Sequence, residues 1–590
     1  MTARFVPRVK FPITKENCGL VRSLAPVHSD SESETMAGKH LSDIPEIHRR
    51  RLLGLGAAVA APAMLGLGMP RARAAVVPDR AAPARSLLAS RGGLAETSIT
   101  DLLKQLAAGK LTSVQLTRFY LDRIAELNLA GPALHAVLET NPEALKLAAQ
   151  LDAERKAGKL RGVLHGIPLL IKDNIGTADK MHSTNGLRAL MGARPAHDAT
   201  VVARLRAAGA IPLGKANLTS LVSSSSGYSQ RGGQTRNPYK LDRSPNGSSA
   251  GPAAATAAGL CAGAIGTETI GSILGPSGAN SVVGIRPTTG LTSRTGMFPG
   301  ARSFDTIGPI CRTVADAALL LGVLTGVDPT DTATAASAGK FHSDYTPFLK
   351  PGGLKGARIG ITREVFAGYS AHADAVAQQA VEVLKNAGAV VVDNANIPTA
   401  EKMMSDLDAA FIVQITEMKH DIESYLARTP GDHPRSIAEL VAYNKAHADT
   451  ELEYFDQNIL QTVADYAGKP SDAEYKKAVA TVRRVARDEG IDAALKNHRV
   501  DALMMPTGAP TWKIDLVNGD PQIMGSAIPV GYAGYAAINV PAGFVHGLPV
   551  GITFMGTAWS EPQLIRFAHG FEQAHPARRA PTFTPPGVGL

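Results

Sequence analysis

Apolar positions change period repeatedly along this chain, and each change marks an element. Val114, Leu116, Phe119, Leu121 and Ile124 recur at helical spacing behind Thr112 and Ser113, either of which is placed to cap the helix. Ser98 or Thr100 is placed likewise before a helix ending near residue 108. Residues 142–157, 198–208, 253–260, 314–325 and 372–387 also read as helices. Between them lie short apolar runs at 134–138, 168–171, 211–213, 264–265, 358–361, 390–392, 502–505, 537–540 and 551–554, which predict strands. The alternation predicts an α/β fold around a mixed sheet. Residues 400–498 differ, with helical spacing, many charges and few strand signals. They predict a helical insertion. The pattern leaves open whether it is plain surface or lines a substrate entrance.

The first 74 residues read as an address. His48-Arg49-Arg50-Arg51 leads into a charge-free stretch, residues 52–70, rich in Leu, Ala and Gly, and Arg71-Ala72-Arg73-Ala74 follows. Charged, apolar and A-x-A parts in that order predict a twin-arginine signal cleaved after Ala74. The expected partner during transport is the twin-arginine machinery, and the expected destination is the periplasm. The alternative is a membrane anchor at residues 52–70; the glycines, Pro62 and the A-R-A site favour cleavage. Met36 offers a more ordinary start, so residues 1–35 read as an extended start or as disordered. Residues 75–93 predict a linker.

The formal charge of +9 changes little, because residues 1–74 hold 11 Lys and Arg against 6 Asp and Glu. No basic run with interleaved aromatics follows, so no nucleic-acid partner is expected. Of the cysteines, Cys18 precedes the cleavage point; Cys261 and Cys311 are too few for a disulfide framework. Cys261, in an Ala/Gly run, is expected to be a small buried apolar group.

The candidate chemistry lies in the middle of the chain. Ser248 and Ser272 bracket the run SSAGPAAATAAGLCAGAIGTETIGS, and Lys172 closes the apolar run GIPLLI. A serine hydroxyl needs a base to become a nucleophile. A lysine kept neutral by burial can serve without histidine. The glycines let backbone N–H groups face a reacting oxygen.

Residues 244–288, with Ser248 and Ser272 24 positions apart and Lys172-Asp173 following Gly166-Ile167-Pro168, resemble the amidase signature family. So do GKANLTS (214–220), RGGQTRNPY (231–239), FDTIGPI (304–310), DALMMPT (501–507) and NVPAGFVHGLPVGITFMG (539–556). The wording is most similar to peptide-amidase-like members. The resemblance implies one amidase domain at 94–583, with a signature core near 160–325, a large mixed central sheet flanked by helices, and a tail at 584–590. It implies amide hydrolysis with Ser272 as nucleophile, Ser248 as relay after a cis bond to Gly247, and Lys172 as base. It assigns the oxyanion-binding N–H groups to Thr269, Ile270, Gly271 and Ser272. Ser223, Ser224, Ser225, Ser226 and Tyr228 are placed near the acyl pocket. The substrate would be a small-molecule or peptide amide, with no metal and no cofactor.

Three departures from the family pattern stand out. Ile270 occupies a position usually held by Gly or Asp, and its bulk is expected to narrow the pocket. Leu274 replaces an arginine often paired with the acid before the loop, here Glu268. Ala250 replaces a usual Gly or Ser. Rival readings remain. Gly247-Ser248-Ser249-Ala250-Gly251 fits the nucleophile elbow of an α/β-hydrolase, with Ser249 as nucleophile and a histidine such as His546 as base. Its lead-in, KLDRSPN, is polar where an elbow needs an apolar strand. The others are a binding protein on the same fold, and the glutamine-hydrolysing component of a tRNA-dependent amidotransferase, which an export signal argues against. No H-E-x-x-H, paired-cysteine or phosphate-loop motif is present.

Overall fold

The computed structural model describes residues 92–588 apart from 224–225, 406–407 and 522–524. The expected signal, the anchor alternative, Cys18, Ser224 and Ser225 thus lie outside the described residues. Every residue of Pro168–Lys172 and of Gly263–Glu268 is buried, the pattern of strands covered on both faces. They are β2 and β6. The other strands are β1 Val137–Thr140, β3 Ile211–Ala216, β4 Tyr228–Ser229, β5 Gly233–Gln234, β7 Val283–Arg286, β8 Thr306–Cys311, β9 Arg358–Ile361, β10 Val390–Val392, β11 Ala502–Pro506, β12 Ala537–Val545 and β13 Leu548–Met555.

Eleven of these strands form one sheet in the order β1-β3-β2-β6-β8-β7-β12-β13-β11-β9-β10. β2 runs parallel to β3 and β6, and β9 runs parallel to β10 and β11; the remaining pairs are antiparallel. This is the expected mixed sheet. Helices cover it through apolar side chains such as Ile99, Leu102, Leu116, Val314, Leu321, Val381 and Phe567. Ser98 caps its helix through the Asp101 amide, and Thr112 forms a reciprocal capping box with Gln115. Cys261 and Cys311 are free and buried. Among the described residues no helix is long and apolar enough to cross a membrane.

Several boundaries move, each for a local reason. The strand expected at 134–138 begins only at Val137, because Ala133 and His135 sit at positive φ. The helix expected at 253–260 runs Ala250–Ala257, ended by Gly259 at φ 66°. The strands expected at 537–540 and 551–554 extend into a hairpin whose two-residue turn is His546-Gly547, both at positive φ. β7, β8 and the helices Leu274–Ala279, Ala527–Ala533 and Glu561–Ala574 were not expected from the pattern. β8 contains Gly308 and Pro309, and Leu274–Ala279 contains Gly275, Pro276 and Gly278, residues that mask strand and helix propensity. Residues 400–498 are helical as expected, through Ala400–Ser405, Asp408–Arg428, Ile437–Ala446, Ala448–Glu451, Asn458–Asp465, Ala473–Arg483 and Asp492–His498, the last two joined by a π-helical stretch at Arg484–Ile491.

Candidate active site

Two adjacent parallel strands deliver the site. β2 ends in Lys172, and β6 ends in Glu268 just before the loop that carries Ser272. Ser248 precedes the helix Ala250–Ala257, and the Gly247–Ser248 peptide bond is cis, as the resemblance implied. The Ser249 amide donates to the Ser272 carbonyl at 3.1 Å, so the two serine-bearing segments are joined through their backbones. Lys172, Ser248 and Ser272 line one cavity together with Thr267, Ile270 and Asp305.

The Lys172 ammonium nitrogen donates to Ser248 Oγ at 2.7 Å and to Thr267 Oγ1 at 2.9 Å. Its side chain is 1% exposed. Burial pulls the Lys172 pKa down to about 7, against the opposing pull of Asp305 and Glu268. A substantial neutral fraction is therefore present at neutral pH, as a base requires. The hydrogen bonds formed among the described residues include the Lys172–Ser248 link of the expected chain and not a Ser248–Ser272 link. A χ1 rotation of a serine is enough to make or break such a contact.

The loop after β6 is clamped from inside. Glu268 Oε2 accepts from the amides of Ile273 at 2.6 Å and Leu274 at 2.9 Å, at the start of the short helix Leu274–Ala279. Thr269 donates its hydroxyl to Asp305 at 2.6 Å, and Asp305 also accepts from the amides of Gly300 and Ala301. Burial raises the Asp305 pKa, while these three donors oppose the rise. The amides of Ile270, Gly271 and Ser272 find no acceptor among the described residues, which leaves them open to a developing oxyanion. The Ile270 side chain lines the cavity, and a Cβ at Gly531 would come within 3.1 Å of it.

The arginine missing from position 274 has a counterpart elsewhere. Arg286, at the end of β7, places Nη1 3.4 Å from Glu268 Oε1, with both side chains fully buried. It also donates to the carbonyl oxygens of Phe304 at 2.8 Å and Thr269 at 3.3 Å. The pattern of the chain did not disclose this partner, because β7 was not predicted and lies two strands away from β6. Breaking a buried ion pair on one side leaves an uncompensated charge, worth about 3–5 kcal/mol. Arg286→Met is thus expected to lower the unfolding midpoint sharply. In a cycle with Glu268→Gln, the double variant should be less destabilised than the sum of the singles. Additive losses would show that the two groups do not couple.

The elbow reading fails on geometry. Ser249 is fully buried, its hydroxyl donating to the Thr267 carbonyl at 3.0 Å and accepting from the Thr267 amide at 3.3 Å. His546 makes the β12–β13 turn and packs edge-on to His372, and no histidine among the described residues lines the cavity. Ser223 and Ser226 do line the cavity, as does Ser220, which was not singled out from sequence. Tyr228 does not; its ring packs edge-on against Tyr454 and Phe455. The helical insertion does reach the site, through Gln414, Met418 and Ile459.

Comparison with known proteins gives the family. The Amidase family model matches residues 115–565. The chain is similar to the peptide amidase of Stenotrophomonas maltophilia, with 46% identity and a TM-score of 0.78, covering 83% of this chain and 99% of that one. It is 39% identical over 508 residues to a probable amidase of Arabidopsis thaliana, covering 84% of this chain and 93% of the relative. It is 35% identical over 521 residues to a putative amidase of Schizosaccharomyces pombe, covering 83% of this chain and 87% of the relative. The chain thus belongs to the amidase family, whose chemistry is hydrolysis of the carbon–nitrogen bond of amides.

Proposed function

We propose that this protein is an exported amidase that hydrolyses a small or peptidyl carboxylic amide through Ser272, Ser248 and Lys172. The observation that carries the reading is the buried Lys172 amine, 2.7 Å from Ser248 Oγ in the cavity that Ser272 lines. Neutral Lys172 takes the Ser248 proton as Ser248 takes the proton of Ser272. Ser272 Oγ attacks the amide carbon, and the oxyanion turns toward the amides of residues 269–272. As the intermediate collapses, Ser248 and Lys172 return the proton to the leaving nitrogen, which departs as ammonia or an amine. Water, activated by the same pair, then cleaves the acyl ester and frees Ser272.

Similarity to a peptide amidase supports peptide-like amides as substrates, and the cavity's mixture of apolar residues such as Leu218, Ile270 and Met418 with polar ones such as Asn174 and Gln414 suits them. The test is release of ammonia and acid from a panel of acylated amino-acid amides, alkyl amides, anilides and free glutamine. Turnover of at least one amide is expected; failure on all of them would overturn the reading. Turnover of glutamine alone would favour the amidotransferase-like reading.

Export is supported by Arg49 and Arg50 before the apolar stretch and by the Ala72-Arg73-Ala74 site. Expressed from the full gene, the secreted protein should begin at Ala75, and replacing Arg49 and Arg50 by lysine should hold it in the cytoplasm. Membrane retention of uncleaved protein would instead favour the anchor.

A further inference from the structure

Gln414 sits on the helix Asp408–Arg428, flanked by the core residues Phe411, Val413, Ile415 and Met418. It is 7% exposed, it lines the catalytic cavity, and its Oε1 has no hydrogen-bond partner among the described residues. Asn174 lines the same cavity, is 8% exposed, and leaves its Oδ1 unpartnered among them, its amide nitrogen being engaged by Thr267 at 3.0 Å. Buried polar atoms without partners are unfavourable and rare, so two in one cavity point to a ligand that satisfies them. Both are carbonyl oxygens, which accept from N–H donors. The carboxylate on this wall, Asp305, is already held by Thr269, Gly300 and Ala301. The cavity therefore offers acceptors without an uncommitted charge, which suits neutral amide N–H groups better than an ammonium ion.

Resting on the amidase reading, we propose that Gln414 accepts a hydrogen bond from a substrate N–H other than that of the cleaved amide. Acylated amino-acid amides are then preferred over simple alkyl amides, and the helical insertion supplies the preference. A site built around a substrate N–H discriminates against analogues lacking it, because its own buried group is left unpaired.

The test compares three substrates on the full-length protein: N-acetyl-L-leucinamide, its N-methyl analogue with the acetamido N–H removed, and 4-methylpentanamide. The wild type should favour the first by about tenfold or more in kcat/KM, equivalent to about 1.4 kcal/mol. Gln414→Met, close in length, should remove that advantage, bringing kcat/KM for N-acetyl-L-leucinamide down toward that for 4-methylpentanamide. N-methylation should then cost the variant almost nothing, a coupling that a purely structural role would not produce. Equal loss on all three substrates, or an unchanged preference in Gln414→Met, overturns the proposal while leaving the amidase reading intact. Failure of the wild type on all three overturns the proposal, and the amidase reading falls with it only if anilides and glutamine are also left intact.

Discussion

Ser272→Ala is expected to lower kcat/KM by on the order of 10⁴- to 10⁶-fold while leaving the fold unchanged. The expectation rests on where Ser272 lies: on the cavity wall, at the end of the loop clamped by Glu268 and beside amides with no acceptor among the described residues. Removing its oxygen removes the covalent step, leaving only the oxyanion site and substrate binding. A fluorophosphonate should add once to the wild type, giving one mass increment, and not to Ser272→Ala. Labelling that persists in the variant would mean that another residue is the nucleophile. Retained activity would mean the same. The buried, doubly hydrogen-bonded Ser249 is a poor candidate for that role.

Lys172→Met comes next in size, with an expected loss of about 10³- to 10⁴-fold from removal of the base. Groups that act as a unit do not add, so Ser272→Ala combined with Lys172→Met should be little worse than Ser272→Ala alone. The wild-type pH profile carries a sharper test. Burial pulls the Lys172 pKa down to about 7, so below that value the amine is protonated and cannot accept from Ser248. kcat/KM should fall about tenfold per pH unit on the acid side and level off above about pH 8. A flat profile between about pH 5 and 9 would remove Lys172 from the role of base. With ordinary solvation the acid limb would instead centre near 10.5, the unshifted value.

What could be read from the chain divides along physical lines. The apolar run before Lys172 predicted a buried strand with the lysine at its end, and β2 is that strand. The chain narrowed the caps to Ser98 or Thr100 and to Thr112 or Ser113, and the hydrogen bonds to residues three positions on select Ser98 and Thr112. The short helix Leu274–Ala279 was not visible, because its glycines and proline argue against a helix and the Glu268 carboxylate at its start compensates. Tyr228 was placed at the pocket by resemblance, but contact with Tyr454 and Phe455 of the insertion turns its ring elsewhere.

The sequence by itself carried the lysine, the two serines and their spacing, the resemblance to the amidase family that rests on them, and the alternation that makes an α/β sheet, because these are local residue types and spacings. Only the tertiary structure decided that Arg286 answers Glu268 from two strands away, that Ser249 is spent on Thr267, and that Gln414 reaches the cavity. Those pairings join residues far apart in the chain. Their energies come from burial, which makes an unpaired charge or carbonyl unfavourable and so selects partners by proximity in space.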